Sequence, residues 1–370
     1  STNSSIGLIY ALKKIFMDSD ILIRNKKFYS NFFKKKTFLT PKNNFYSSKY
    51  YLESLGFSKN LFTNKVVLEV GAGSGRLFFS LSKHSYLKKV KKYIILEPSD
   101  GIDYIKNNCK IKNIDFQKKS FQDLLNDKSL NNKIDLLLLS GVVPHISDNF
   151  EKVLKLSKIL LKKDGKVQVN FSYYGISKSI DYKIKKNNIK NFFLISILSF
   201  LKTILSYLLS EKIFKTFFVF SMEKNFQKRF YQFKEFYSVI PYKIFFNYKY
   251  CIDKIGNSNY NILKFFSNSF SVLIQNTQNP KKFTLSMPPR KNTIVFGNDW
   301  ITKLFIDKYK YPKSTTDINY AVKYDNIILA YDCYKPDAYS FFEILNKIPK
   351  KKRYELGKNM FIYQMFGNVT

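Results

Sequence analysis

The stretch Val66-Val67-Leu68-Glu69-Val70-Gly71-Ala72-Gly73-Ser74-Gly75-Arg76 restricts the fold of this chain more than any other. An apolar run of strand length passes without a spacer into three alternating glycines, and a helix-length amphipathic stretch follows. Glycines suit such a place because the chain must turn sharply and let a ligand touch backbone with no Cβ in the way. The same rhythm repeats downstream: Lys65–Val70, Tyr93–Leu96, Asn113–Phe116, Ile134–Leu139 and Lys166–Phe171 read as strands. Their spacing, roughly 20–30 residues, is that of successive βα units, and it predicts a parallel, doubly wound α/β sheet.

Local signals divide the remainder. Residues 1–60 mix aromatic, Lys and Ser/Asn residues and read as a helical N-terminal region; 61–288 form the main domain. After the fourth strand Asp148 is an N-cap with Glu151 three residues on, Phe150, Val153, Leu154, Leu160 and Leu161 share a face, and Gly165 supplies the left-handed stop. A helical insert is expected at about 180–250. Its most apolar part, 192–210, carries Ser196, Ser199, Lys202, Ser206 and Ser210 as a polar stripe, which argues against a transmembrane span. A substrate-covering lid and a helix lying on a membrane surface both remain open. Strands at about 269–276 and 282–287 complete the sheet. Beyond Met287-Pro288-Pro289, segments at 292–296, 298–309, 317–323, 326–331, 335–347 and 359–365 suggest a small βαββαβ module over 289–370, or an extension packed on the first domain.

A dinucleotide-binding fingerprint wants Gly or Ala where Arg76 stands, three residues after Gly73. The acidic Glu69 has no part in cradling phosphate but suits a ligand bearing an ammonium group. Glu-x-Gly-x-Gly-x-Gly after a strand resembles the nucleotide-binding motif of class I, Rossmann-like S-adenosylmethionine-dependent methyltransferases. That resemblance implies a mostly parallel seven-stranded sheet and S-adenosyl-L-methionine as cofactor. It assigns Glu69, Gly71, Gly73 and Gly75 to the cofactor loop, and Glu97, at the end of the second strand, to the ribose hydroxyls. Ser120 and Phe121 occupy the adenine position without the family's usual acidic residue, and Ser140 and Gly141 lie under the methionine moiety. The likeness covers about residues 60–175, where Leu160-Leu161-Lys162-Lys163-Asp164-Gly165 also resembles the family's turn into the fifth strand.

Methyl transfer from a sulfonium needs geometry first and a base only for a protonated acceptor. His145 follows the fourth strand and is the candidate catalytic base, with support of the cofactor or a helix as its other reading; His84 reads as structural. Tyr173 and Tyr174 follow the fifth strand at the same sheet edge and are candidate acceptor walls. The Asn/Asp-Pro-Pro-aromatic tetrapeptide of adenine amino methyltransferases is absent. The expected function is therefore methylation of O or N on a small or lipid-linked metabolite, with RNA or other nucleic-acid methylation second. A catalytically inactive binding module is third.

The chain carries 63 Lys and Arg against 27 Asp and Glu, a formal charge of +36. That excess attracts polyanions or an anionic membrane surface. Yet only five of the cations are Arg, and Lys, Asn, Ile, Phe and Tyr all have A/T-rich codons, so codon bias is the plainer source of the charge. Nucleic acid is accordingly the less favoured partner. Cys109, Cys251 and Cys333 are scattered and histidines number two, so neither a metal site nor a disulfide framework is expected. Lys13, Lys14, Asp18 and Asp20 interrupt any signal-peptide core, which reads as cytoplasmic, with peripheral membrane contact through the insert.

Overall fold

The computed structural model of the chain describes residues 55–143, 150–170, 191–210, 225–239, 248–266, 271–281, 289–297, 310–331 and 347–357, with a few short pieces elsewhere. Seven strands form the main sheet: β1 (Val66–Val70), β2 (Lys92–Leu96), β3 (Ile114–Gln117), β4 (Ile134–Ser140), β5 (Leu161–Asn170), β6 (Tyr260–Phe266) and β7 (Ser271–Asn276). Their order is β3-β2-β1-β4-β5-β7-β6. The first five are parallel, and β7 runs antiparallel between β5 and β6. The sheet is thus mostly parallel, doubly wound and Rossmann-like.

A parallel sheet needs both faces covered, and the strands here are apolar on both. Leu68, Val70, Ile94, Leu96, Leu137 and Leu139 join the core on one face with Phe150, Val153 and Leu154 of α3 (Phe150–Leu160). Val67, Tyr93, Ile95, Leu136 and Leu138 face the other way, against Leu77, Phe78 and Leu81 of α1 (Arg76–Lys83). Helix α2 (Gly101–Asn108) adds Ile105 to that second layer. The start of β1 is anchored by Asp135, whose carboxylate accepts the Val66 N–H at 2.8 Å and the Lys162 ammonium at 2.9 Å.

Three readings from the sequence need revision. Helix α3 ends at Leu160, not at Gly165, because Leu161 already pairs with Ile134 and belongs to β5. Between Leu161 and Lys166 the strand is irregular, and the left-handed residue there is Asp164 (φ 61). Gly165 serves close packing instead: a Cβ on it would lie 2.9 Å from the Lys162 carbonyl oxygen. Second, the outer strand is β6, at Tyr260–Phe266. A register shift between Ile262 and Lys264 breaks its alternation, which hides it from a periodicity search. The segment 282–287, expected as a strand, lies outside the described residues, as does Asp148.

Third, the segment 317–323, expected as a strand, holds a short helix, Ile318–Ala321, and the C-terminal segment forms a parallel four-stranded sheet. Strands β8 (Thr293–Phe296), β9 (Ser314–Thr315), β10 (Asn326–Tyr331) and β11 (Arg353–Gly357) lie in the order β11-β10-β8-β9. β9 and β11 lack apolar runs and are recruited by backbone pairing with β8 and β10. The residues 335–346 and 359–365 lie outside the described set.

The insert contributes α4 (Phe192–Leu208), α5 (Phe226–Val239) and α6 (Tyr248–Asn257), with α4 packed on α5 and α6 on α3. Glu151 on α3 ion-pairs with Lys155 and with Lys254 of α6. The buried Tyr260 hydroxyl donates to the Leu154 carbonyl at 3.1 Å, joining β6 to α3. Tyr260→Phe should therefore lower stability by about 1 kcal/mol, the usual net worth of one such bond. Urea unfolding measures this, and an unchanged midpoint would show the bond idle.

Candidate functional site

Open α/β sheets place ligands beyond the carboxyl ends of their strands, where the strand order reverses. In this sheet the reversal falls between β1 and β4. The β1 end continues into Gly71–Gly75, and the Gly71 N–H donates to the Leu96 carbonyl at 2.7 Å, tying the loop to β2. All three glycines have positive φ, at 66, 59 and 82°. Two of them also answer to protein packing. A Cβ on Gly71 would lie 2.3 Å from Val142 Cγ2, and one on Gly75 would lie 2.8 Å from the Phe79 ring and 2.9 Å from Ile105. Gly71 thus lets the loop pass close over Val142, and Gly75 starts α1 against α2.

Glu97 holds the centre of this arrangement. One carboxylate oxygen, Oε2, accepts the Gly73 N–H at 2.7 Å, and the other, Oε1, accepts the Ser99 N–H at 2.9 Å and the Ser99 hydroxyl at 2.5 Å. The carboxylate at the tip of β2 therefore spans the gap to the middle of the β1 loop. Ser99 is fully buried and drew no notice in the sequence, although Ser two residues after an acid is a common local partner.

Glu69, the candidate partner of a ligand ammonium, lies on β1 just before the loop. It is 3% exposed, and its carboxyl accepts the Tyr93 hydroxyl at 2.7 Å, inside the layer between β1 and β2. Burial pushes its pKa up to about 7; the Tyr93 bond works against this and the charge of Glu97 adds to it. Burial likewise drives the Tyr93 phenol well above its ordinary value. The pair braces the loop from within the sheet.

At the tip of β3, Ser120 and Asp123 hold each other. The Ser120 N–H and hydroxyl donate to Asp123 Oδ2 at 2.7 and 2.8 Å, and the Asp123 N–H donates back to the Ser120 oxygen at 3.3 Å. An acidic group is thus present at this corner, three residues later than the expected position. Ser-x-x-Asp is the signal that reveals it. The Phe121 side chain is taken up by the core with Leu124 and Leu125, which leaves its backbone at the corner. At the end of β4, Gly141 takes φ 71 and donates its N–H to the Asn170 carbonyl at 3.1 Å, and Ser140 precedes it half-buried.

The structure therefore brings Gly71, Gly73, Gly75, Glu97, Ser120, Ser140 and Gly141 to one edge of the sheet. His145, Tyr173 and Tyr174 lie outside the described residues. His84 caps the end of α1, its N–H donating to the Ser80 carbonyl at 3.2 Å. Among the described residues, no group of three or more His, Cys, Asp or Glu is placed to hold a metal ion.

Neither a family model nor a curated protein matches the chain. Solved structures do. An S-adenosylmethionine-dependent methyltransferase from Aquifex aeolicus is similar at 17% identity over 35% of this chain and 66% of that one, with a TM-score of 0.28. One from Archaeoglobus fulgidus is similar at 15% identity over 34% of this chain and 59% of that one, at 0.25. One from Thermotoga maritima is similar at 16% identity over 69% of this chain and 99% of that one, at 0.35. The chain spans less than two thirds of the first two. At such scores none of them bears on site or substrate, and the strand order above stands on its own.

The buried Glu69 generates a pH prediction. Its folded-state pKa, about 7, lies above the ordinary glutamate value of 4.5, so the folded state holds the proton more tightly. Stability then falls as pH rises from about 4.5 to about 7 and is level beyond. Glu69→Gln keeps an acceptor for Tyr93 and lacks this slope. Relative to the parent it should gain up to about 3 kcal/mol between pH 5 and pH 8. Urea unfolding at the two pH values checks this; an equal difference at both contradicts a shifted Glu69.

Proposed function

We propose that this chain is an S-adenosylmethionine-dependent methyltransferase acting on oxygen or nitrogen of a small or lipid-linked metabolite. The observation that carries the reading is the 2.7 Å bond from the Gly73 N–H to Glu97. It sets a carboxylate over the middle of a three-glycine loop at the reversal of the strand order. A nucleoside lying across that loop meets an acceptor for its ribose hydroxyls.

The donor set fits such a group. Each carboxylate oxygen accepts about two hydrogen bonds. Oε1 of Glu97 is filled by Ser99, while Oε2 takes the Gly73 N–H alone and has room for one hydroxyl. A second hydroxyl is accommodated if the Ser99 side chain turns away. Ser120, Asp123 and the Phe121 backbone stand at the next strand tip, where an adenine would extend. Ser140 and Gly141 flank the other side of the loop.

When bound, the cofactor supplies a methyl group on a sulfonium leaving group. What remains for the protein is to hold an acceptor in line, which is worth roughly 7–11 kcal/mol in favourable cases. His145, four residues after Gly141 in sequence, is the proposed base for a protonated acceptor, and an imidazole's ordinary pKa near 6.5 suits that task. Tyr173 and Tyr174, just beyond β5, are the proposed acceptor walls. These three assignments rest on position in the sequence.

Three substitutions separate binding from chemistry. Gly73→Leu places a side chain where the ligand must lie and costs about 1–2 kcal/mol of backbone strain. It should abolish binding of S-adenosylhomocysteine in calorimetry while cooperative unfolding persists; normal affinity contradicts the site. Glu97→Ala should weaken the same binding by about tenfold or more, the worth of a charge-assisted hydrogen bond. For His145→Ala, turnover should drop about 100-fold or more with cofactor affinity unchanged. Parallel losses in both would reassign His145 to support.

A further inference from the structure

Helix α4 is built inside out. Its inward face carries Ser199, Lys202, Thr203 and Ser206 along with Ile195, all buried, with Ser199 fully so and Lys202 2% exposed. The outward face is Phe193, Ile197, Leu201 and Leu208, every one at least 39% exposed, with Phe193 and Leu208 at 74%, while Phe200 and Tyr207, each 48% exposed, lie along the seam against Phe226 of α5. A helix that packs on a protein in water does the reverse, because burial of apolar area is what drives the packing.

The polar stripe is satisfied within the hairpin of α4 and α5. The hydroxyls of Ser199 and Thr203 donate to the carbonyls of Ile195 and Ser199 at 2.7 Å. The Lys202 ammonium lies 4.1 Å from the centre of the Phe233 ring and 5.2 Å from that of Tyr237. The Arg229 guanidinium of α5 donates to the Ser206 carbonyl and hydroxyl at 3.2 and 3.0 Å. Small and polar residues between two helices, with large apolar ones outside, is the pattern of helix pairs in an apolar solvent.

Charge in the flanking sequence identifies that solvent. Lys183, Lys185, Lys186 and Lys190 fall within eight positions just before α4, and no acidic residue occurs from Tyr182 through Ser210. A lysine cluster beside an apolar helix is the complement of an anionic lipid surface. No described helix is long and apolar enough to cross a membrane. The 17 residues of α4 reach roughly 25 Å, short of the roughly 30 Å hydrocarbon core.

We infer that the α4–α5 hairpin docks this protein on an anionic membrane surface, with the outer face of α4 sunk to the level of the acyl chains. The inference is independent of methyl transfer. Flotation of the full chain with phosphatidylcholine vesicles, with and without phosphatidylglycerol, tests it. The chain should float with the anionic vesicles and at least tenfold less with the neutral ones. Phe193→Glu combined with Leu208→Glu changes two highly exposed positions and should cut flotation at least tenfold while the thermal transition is kept. In a second measurement, a Leu201→Trp variant should be quenched by brominated lipid in the anionic vesicles. Absence of flotation, flotation that survives the glutamates, or no quenching at position 201 would overturn the proposal. So would a vesicle-free dimer that the two glutamates split, since a second copy would then be what covers this face.

Discussion

The hydrogen bond between the Gly73 N–H and the Glu97 carboxylate is the contact around which the putting-together of the sheet edge turns. A loop with three left-handed glycines has wide conformational freedom of its own. A carboxylate from the neighbouring strand removes that freedom at its midpoint, and Ser99 keeps the carboxylate itself in place. The bond exists only because β1 and β2 pair in parallel register, Val70 opposite Leu96, so that both strands end at the same height. Register, turn and acceptor are consequently one unit.

Two further constraints serve this unit from below. Val142 lies so close under Gly71 that only glycine fits, which couples the β4 exit to the β1 turn. Glu69 and Tyr93 form a buried polar pair between β1 and β2, and burial makes that carboxyl a weak acid. A polar pair inside an apolar layer costs desolvation that the same positions filled with apolar residues would avoid. Its effect is directional, since it fixes how β1 faces β2 beneath the loop.

Much of this was legible in the chain. The strands β1 to β5, the glycine turn and Glu97 are local features, set by periodicity of apolar residues and by the steric privilege of glycine. The gaps have identifiable causes. β6 carries a register shift, and β9 and β11 are held by pairing with neighbours and not by their own apolar runs. Asp123 stands three residues past the family's position at Ser120 and reaches the same corner by bonding back to that residue, which a position-by-position match does not register. The Ser/Lys stripe of α4 was visible as a stripe, but periodicity reports only that two faces differ. It does not say which one turns inward.

The sequence by itself determined the alternation of strand and helix, the position of the turn and the acidic residue at the tip of β2, because these follow from neighbours along the chain. Tertiary structure decided which face of α4 is buried, that Glu69 is directed to Tyr93, and that Gly71 and Gly75 answer to protein packing. Those outcomes depend on residues tens of positions apart and on which groups lose contact with water, and such quantities have no value until the chain has folded.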